Sequence, residues 1–183
     1  LNGQTIQSKA ADQSVFEIAD GGTLTLTDCT SNTGTVTHSN GTGSGVEVKE
    51  GTFTMYGGEI SGNSASNGGG VYVENSSTFY MYGGSIIDNS AGNTNDYTDG
   101  GGVYVKSYST FEMRDNASIT GNHATSQGGG VHVGWSGTFN MYGGSITGNN
   151  VKNNSGGGVN LASSTVTVSG SANITGNVKG GSK

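Results

Sequence analysis

Short runs in which apolar and polar residues alternate recur along the whole chain, and they predict β-strands. Each repeat has three such runs: V-x-V, as at 71–73, F-x-M, as at 79–81, and a run centred on one apolar residue, as at Ile86. A period of two places alternate side chains on opposite faces of a half-buried strand. Gly-Gly pairs and Ser/Asn clusters between the runs indicate turns. No window has the spacing of an amphipathic helix, so we expect an all-β fold.

The repeats align to give five columns of apolar residues, which predict stacked coils. All four methionines, Met55, Met81, Met113 and Met141, fall in one column, with 26 to 32 residues between neighbours. This distance is about one turn of a three-sided coil. A single coil cannot bury its apolar face, whereas coils stacked at about 4.8 Å bury a continuous core. The columns are Phe16, Val46, Val71, Val103, Val131, Val159; Ile18, Val48, Val73, Val105, Val133, Leu161; Leu24, Phe53, Phe79, Phe111, Phe139, Val166; Leu1, Leu26, Met55, Met81, Met113, Met141, Val168; and Ile6, Val36, Ile60, Ile86, Ile119, Ile146, Ile174.

The pattern therefore predicts a parallel β-helix of about six three-sided coils, forming one domain over residues 1–183. The chain begins and ends part-way through a coil, so we expect it to be a segment of a longer solenoid. One polar column accompanies the apolar ones. Because stacked amides can hydrogen-bond along an axis, this column predicts an amide ladder. Its members are Asn63, Asn89, Asn122, Asn149 and Asn177.

Composition narrows the classes of partner. The net charge is −6, with only seven basic residues, so we expect neither nucleic acid nor an anionic membrane as partner. No apolar run approaches the length of a membrane span, so we expect no membrane insertion. Cys29 is the single cysteine and excludes an internal disulfide. Such scarcity of cysteine is compatible with a secreted or cell-surface protein.

The longest insertion, residues 90–99, is the one candidate metal site. It places Asn93, Asn95, Asp96 and Asp99 within seven residues, and such oxygen ligands can hold Ca²⁺. The segment lacks the closing Glu of an EF-hand loop, so we expect a solvated loop and no cofactor, with calcium binding as the alternative.

The side chains that point outward between the apolar columns are the candidates for ligand binding. Aromatic rings on a flat sheet can stack on sugars, while neighbouring amides and carboxylates take the hydroxyls. The alternative is that these rings only pair along the sheet, where aromatic residues are favoured. The candidate set is Tyr72, Tyr80, Tyr82, Tyr104, His132 and Trp135.

Several phrases resemble a known class of repeat. GGGVYV at 68–73, TFYMYGGSIIDN at 78–89 and TFNMYGGSITGN at 138–149 are similar to the right-handed parallel β-helix repeats of bacterial cell-surface and adhesin-like proteins, especially those of Gram-positive gut organisms. LNGQTI followed by GGTLTLTD looks like the opening of such a region. The resemblance implies secretion, membership of a longer chain, and attachment to cells, matrix or glycans.

Three functions follow as hypotheses. The first is a non-catalytic adhesin or stalk that contacts a glycan or a host or matrix surface. The second is a fibre unit that stacks end to end, since bare coil ends invite pairing. The third is a polysaccharide lyase or glycoside hydrolase, because pectate-lyase-like enzymes share this fold class. Such enzymes need gathered carboxylates, whereas the outward ones here are scattered, so we expect no catalysis. They are Glu47, Glu74, Asp88, Glu112 and Asp115.

Overall fold

The chain folds as a parallel β-solenoid of about six coils, which confirms the predicted fold class. The structure, a computed structural model, describes residues 1–29, 33–92 and 98–180. These residues form 24 strands and no helix, and every pairing between strands is parallel. None of the described residues therefore contributes a helix that could cross a membrane.

Three sheets correspond to the three predicted runs. The valine sheet has six strands: Phe16–Ile18, Val46–Lys49, Val71–Glu74, Val103–Val105, Val131–Gly134 and Val159–Ala162. The phenylalanine sheet follows it within each coil, with six strands: Thr23–Leu26, Thr52–Met55, Thr78–Met81, Thr110–Met113, Thr138–Met141 and Thr165–Val168. The isoleucine sheet comes next, with seven: Thr5–Ser8, Thr35–His38, Glu59–Ser61, Ser85–Ile87, Ser118–Thr120, Ser145–Thr147 and Asn173–Thr175.

The register of these sheets is the one that the column alignment predicts. Phe79 pairs with Phe53 and Phe111, and their rings stack with centroids 4.7–4.8 Å apart. Met81 pairs in the same way with its neighbours in the methionine column, and these side chains are fully buried. Burying one such side chain contributes about 1.5–3 kcal/mol. Leu1, which the alignment placed in this column, precedes the first strand and is partly buried against the core.

A fourth sheet closes each full coil, and the sequence pattern did not predict it. Its strands have only two residues, too few for a period to be visible. A tight fit against the glycine triplets positions it: a Cβ on Gly101 would lie 2.3 Å from the carbonyl oxygen of His123, in this sheet, and 2.5 Å from that of Gly129, in the next triplet. Only glycine allows the chain to pass this close. The strands of this alanine sheet are Ser64–Ala65, Ser90–Ala91, His123–Ala124, Asn150–Val151 and Val178–Lys179.

The polar column forms the predicted amide ladder. Nδ2 of Asn63 donates to Oδ1 of Asn89 at 2.9 Å, and the same bond continues through Asn122 and Asn149 to Asn177. Each Nδ2 also donates to a carbonyl of the preceding coil, so the buried amides are satisfied. His38 stands at the head of the ladder, with Nδ1 3.0 Å from Oδ1 of Asn63. The ladder ties the isoleucine sheet to the alanine sheet at their common turn.

Candidate functional site

The six candidate ligand-binding residues lie on two different faces of the solenoid and at the corner between them. Tyr72, Tyr104 and His132 are register partners on the outer face of the valine sheet. Tyr80 points outward from the phenylalanine sheet, and Tyr82 follows that strand. Trp135 lies at the corner where the chain passes from the valine sheet to the phenylalanine sheet. No single ligand of sugar size can therefore contact all six.

On the valine sheet, the aromatic side chains stack on one another. The ring centroids of Tyr72 and Tyr104 are 5.4 Å apart, and His132 meets Tyr104 edge-on at 4.8 Å. Tyr104 and His132 are only 8% and 3% exposed, so their ring faces are not open to a ligand. We call the three stacked side chains of Tyr72, Tyr104 and His132 the aromatic base, because the charged side chains around them pack against it.

Charged side chains surround this aromatic base. Lys106 Nζ lies 3.3 Å from Glu74 Oε2 and 5.3 Å from the ring centroid of Tyr72, whose hydroxyl donates to Glu74 at 2.8 Å. Burial, reinforced by this hydrogen bond, raises the pKa of the Tyr72 phenol. Burial also raises the pKa of Tyr104 to about 12, so both phenols are neutral at physiological pH. Burial lowers the pKa of His132, and the nearby Asp99 carboxylate, 3.9 Å away, acts in the opposite direction.

The aromatic residues of the phenylalanine-sheet face are also stacked. The ring centroid of Tyr82 lies 5.2 Å from that of Tyr56, with the planes 27° apart, and 6.0 Å from that of Tyr80, with the planes 5° apart. One coil further on, the Arg114 guanidinium lies 4.4 Å over the ring of Tyr142. Tyr82 is thus flanked by other aromatic side chains, whereas Tyr56 remains 57% exposed.

The corner between the valine and phenylalanine sheets is different, because two aromatic side chains project from it into solvent. Trp135 is 77% exposed and Tyr108, on the preceding coil, is 76% exposed. They border a cleft of about 300 Å³ that is also lined by Tyr104, Lys106, Ser107 and Ser136. The base of stacked side chains thus supports one side of this cleft. We call it the corner cleft.

Tyr108 was absent from the candidate set, although it completes the corner cleft. It lies between strands, outside the period-two runs in which outward positions can be counted. In the sequence, the one indication that Tyr108 belongs to this site was that it aligns with Ser136, which follows Trp135. Ser107 NH donates to the Trp135 carbonyl at 3.0 Å and fixes this register.

The backbone at the corner cleft is left-handed at residues that disfavour this conformation. Trp135 has φ +45° and Tyr108 has φ +63°. On the neighbouring coil the corner is formed by Asn75 and Ser76, at +60° and +59°. For most residues other than glycine and asparagine this conformation costs about 1–2 kcal/mol, and bulky side chains are rare there. The same corner is also left-handed at Ser107, Ser136 and Ser163, so the conformation belongs to the fold, and the unusual feature is the bulky side chain that it carries.

The predicted calcium segment lies mostly outside the described residues, which exclude Asn93, Asn95 and Asp96. Asp99 is described: it bridges to Gln127 on the next coil and its backbone NH donates to Asn67 Oδ1 at 2.9 Å. Within the described ranges, no three His, Cys, Asp or Glu side chains are grouped so that they could hold a metal ion. Calcium binding therefore stays a prediction.

Comparison with protein-family models, with curated proteins and with solved structures finds no match to this chain.

Proposed function

We propose that this protein is a non-catalytic, exported bacterial surface solenoid that binds glycans at the corner cleft. An aromatic ring with a free face can stack on the apolar face of a sugar, while nearby polar groups take the hydroxyls. Trp135 and Tyr108 offer such rings, and Ser107, Ser136 and Lys106 supply the polar groups beside them. The rigid coils hold both rings in fixed positions, which lowers the entropic cost of binding.

The observation that carries this proposal is the strained, exposed conformation of Trp135 and Tyr108. A stalk without a ligand would gain stability from asparagine or glycine at these corner positions, as at Asn75. Large apolar side chains in water, on a left-handed backbone, contribute nothing evident to the core. Binding explains why they are present.

A glycan array, followed by titration of its hits, tests the proposal. We expect wild-type protein to bind, and the variant with both Trp135→Asn and Tyr108→Asn to lose at least 10-fold in affinity. The matched control is Tyr56→Asn, which removes another exposed tyrosine from the neighbouring face. Binding that is absent in the wild type, or that is equal in the corner variant, would refute the proposal.

Self-association is the second candidate. Leu161, Val168 and Val178 lie in register with the preceding coils and are 44%, 50% and 48% exposed. A further coil, either of the same polypeptide or of a second copy, would cover them. Sedimentation velocity over a range of concentrations tests this, and a strictly monomeric species at high concentration contradicts it.

An enzyme is the third candidate. Three of the outward carboxylates are held in ion pairs, Glu47 with Lys49 at 2.8 Å, Glu74 with Lys106 at 3.3 Å and Glu112 with Arg114 at 2.7 Å. These carboxylates are therefore already engaged by neighbouring cationic side chains. Release of unsaturated or reducing-end products from acidic polysaccharides, with or without Ca²⁺, would favour this candidate over the first.

A further inference from the structure

The corner cleft continues into a second cleft on the same edge of the solenoid. This second cleft, of about 570 Å³, is lined by Glu50, Asn75, Ser76, Ser107 and Tyr108. Ser107 and Tyr108 line both clefts. The two form one groove, with the exposed ring of Tyr108 in its middle.

The groove runs parallel to the solenoid axis, because its residues come from successive coils. Ser76 NH donates to the Ser107 carbonyl at 2.9 Å, and Ser107 NH donates to the Trp135 carbonyl at 3.0 Å. Glu50 lies on the coil before Ser76, so four coils contribute. Asn75 and Trp135 are two coil spacings apart, which is about 10 Å. One monosaccharide cannot reach from one to the other.

We infer that the ligand is a linear, neutral oligosaccharide that lies along the axis and occupies several subsites; this inference rests on the proposed function. Trp135 and Tyr108 provide two stacking positions, one per coil. Asn75, Ser76 and Glu50 extend the groove with hydrogen-bonding groups, and all three are exposed. The groove has an aromatic half followed by a polar half, and this arrangement suits a chain of several sugar units better than a single terminal sugar.

The charge of the groove favours a neutral glycan. Its lining has one cation, Lys106, and one acidic side chain, Glu50. Lys106 is already paired with Glu74 at 3.3 Å, and Glu50 would repel an acidic sugar at its own end of the groove. The net charge of −6 opposes polyanions as well.

Calorimetric titration with neutral β-1,4-linked oligosaccharides of one to six glucose, xylose, mannose or N-acetylglucosamine units tests the inference. We expect affinity to rise at least 10-fold from the monosaccharide to the tetrasaccharide and then level off. Asn75→Gly removes the amide but suits the left-handed backbone. We expect it to weaken tetrasaccharide binding at least threefold and to leave disaccharide binding at the aromatic end unchanged. Thr120→Ala, on the isoleucine sheet, is the control.

The outcomes separate this inference from the proposed function. If a monosaccharide binds as tightly as a tetrasaccharide, if Asn75→Gly has no effect at any length, or if only acidic glycans bind, the axial groove is refuted while glycan binding at the corner stands. If no glycan of any length or charge binds, both the axial groove and the proposed glycan binding are refuted.

Discussion

Nδ2 of Asn89 donates a hydrogen bond to Oδ1 of Asn122 at 3.0 Å, and the backbone NH of Asn89 donates to the same oxygen at 3.0 Å. One amide oxygen thus satisfies two buried donors of the preceding coil. The next coil repeats the arrangement between Asn122 and Asn149. The ladder therefore supplies hydrogen bonds at a turn that the strands themselves leave unpaired.

Asn122→Ala should be strongly destabilising, because it removes this acceptor and leaves buried groups above and below without partners. Each unsatisfied buried group costs about 1–3 kcal/mol, so we expect a loss of about 3 kcal/mol or more. Denaturant unfolding followed by circular dichroism measures it. Asn153→Ala, at an exposed asparagine, should change stability by less than about 0.5 kcal/mol. Equal effects of the two substitutions would contradict a structural role for the ladder.

Phe111→Ala should cost about 3–5 kcal/mol, because Phe111 is fully buried between two stacked rings and its loss leaves a cavity. Thermal or chemical unfolding gives the value. Tyr56→Ala, which removes an aromatic ring that is 57% exposed, should cost far less. A comparable loss at Tyr56 would show that ring stacking on the surface, rather than burial, dominates.

Substitution by alanine should have very different effects on stability at two glycines of the same coil. A Cβ on Gly130 would lie 2.6 Å from the Gly158 carbonyl oxygen, so Gly130→Ala must push coils apart and should cost about 3 kcal/mol or more. A Cβ on Gly134 would lie 3.1 Å from its nearest atom, a side-chain nitrogen of His132, so Gly134→Ala requires only a small shift of that side chain and should cost far less. Their melting temperatures, compared at equal concentration, check this. Tolerance at both positions would mean that the glycine triplets do not set the close approach of neighbouring coils.

Trp135→Asn should stabilise the fold while it weakens glycan binding. The substitution places the side chain of the equivalent corner, Asn75, on a left-handed backbone, and should gain about 1 kcal/mol. Unfolding and glycan titration on the same preparation measure both quantities. A variant that loses stability would show that the indole packs against the fold and is not held there for a ligand.

Acidification from pH 7.5 to 5.5 should destabilise the protein through His132. Burial holds its pKa in the folded state below the unfolded value of about 6.5, so the unfolded chain binds more protons in this window. The stability that the neutral His132 contributes is fully present above the pKa of the unfolded state and is lost as the pH falls below that value. The groups beside the ring are Asp99, Tyr104 and Asn160, of which Asp99 and Asn160 both raise the pKa and so oppose the effect of burial.

In His132→Gln the stability should vary less across this range than in the wild type. His123, whose pKa is also lowered by burial, provides the comparison in His123→Gln. Denaturant unfolding at intervals of half a pH unit gives both profiles. A His132→Gln profile parallel to that of the wild type would show that this imidazole does not couple to folding.

Sequence reasoning reached the core of this fold because each strand type carries its own residue at a constant place. Val, Phe, Met and Ile columns are readable without coordinates, and so is the Asn63–Asn177 ladder. The alanine sheet escaped detection because its strands are two residues long and its position depends on glycine triplets, which in a sequence indicate only turns. A sequence pattern gives the residue types and the spacing between them, but it does not give the distance between the backbones of neighbouring coils.

The candidate site was less predictable for a related reason. Outward positions can be counted along a strand, but whether a ring face is open depends on the neighbouring coil. Tyr104 and His132 point outward and yet are covered, whereas Tyr108, in a turn, is open. Exposure at a corner follows from three-dimensional stacking, which the alternation of residues does not encode.

The amide ladder also gives the solenoid a direction. Every Nδ2 that joins two rungs donates toward the later coil, and every Oδ1 accepts from the earlier one. A coil added upside down would set Nδ2 donor against Nδ2 donor at the late end of the ladder, or oxygen against oxygen at its early end. Further coils, whether in one polypeptide or between copies, can therefore be added in only one orientation. Any filament built in this way has two chemically distinct ends.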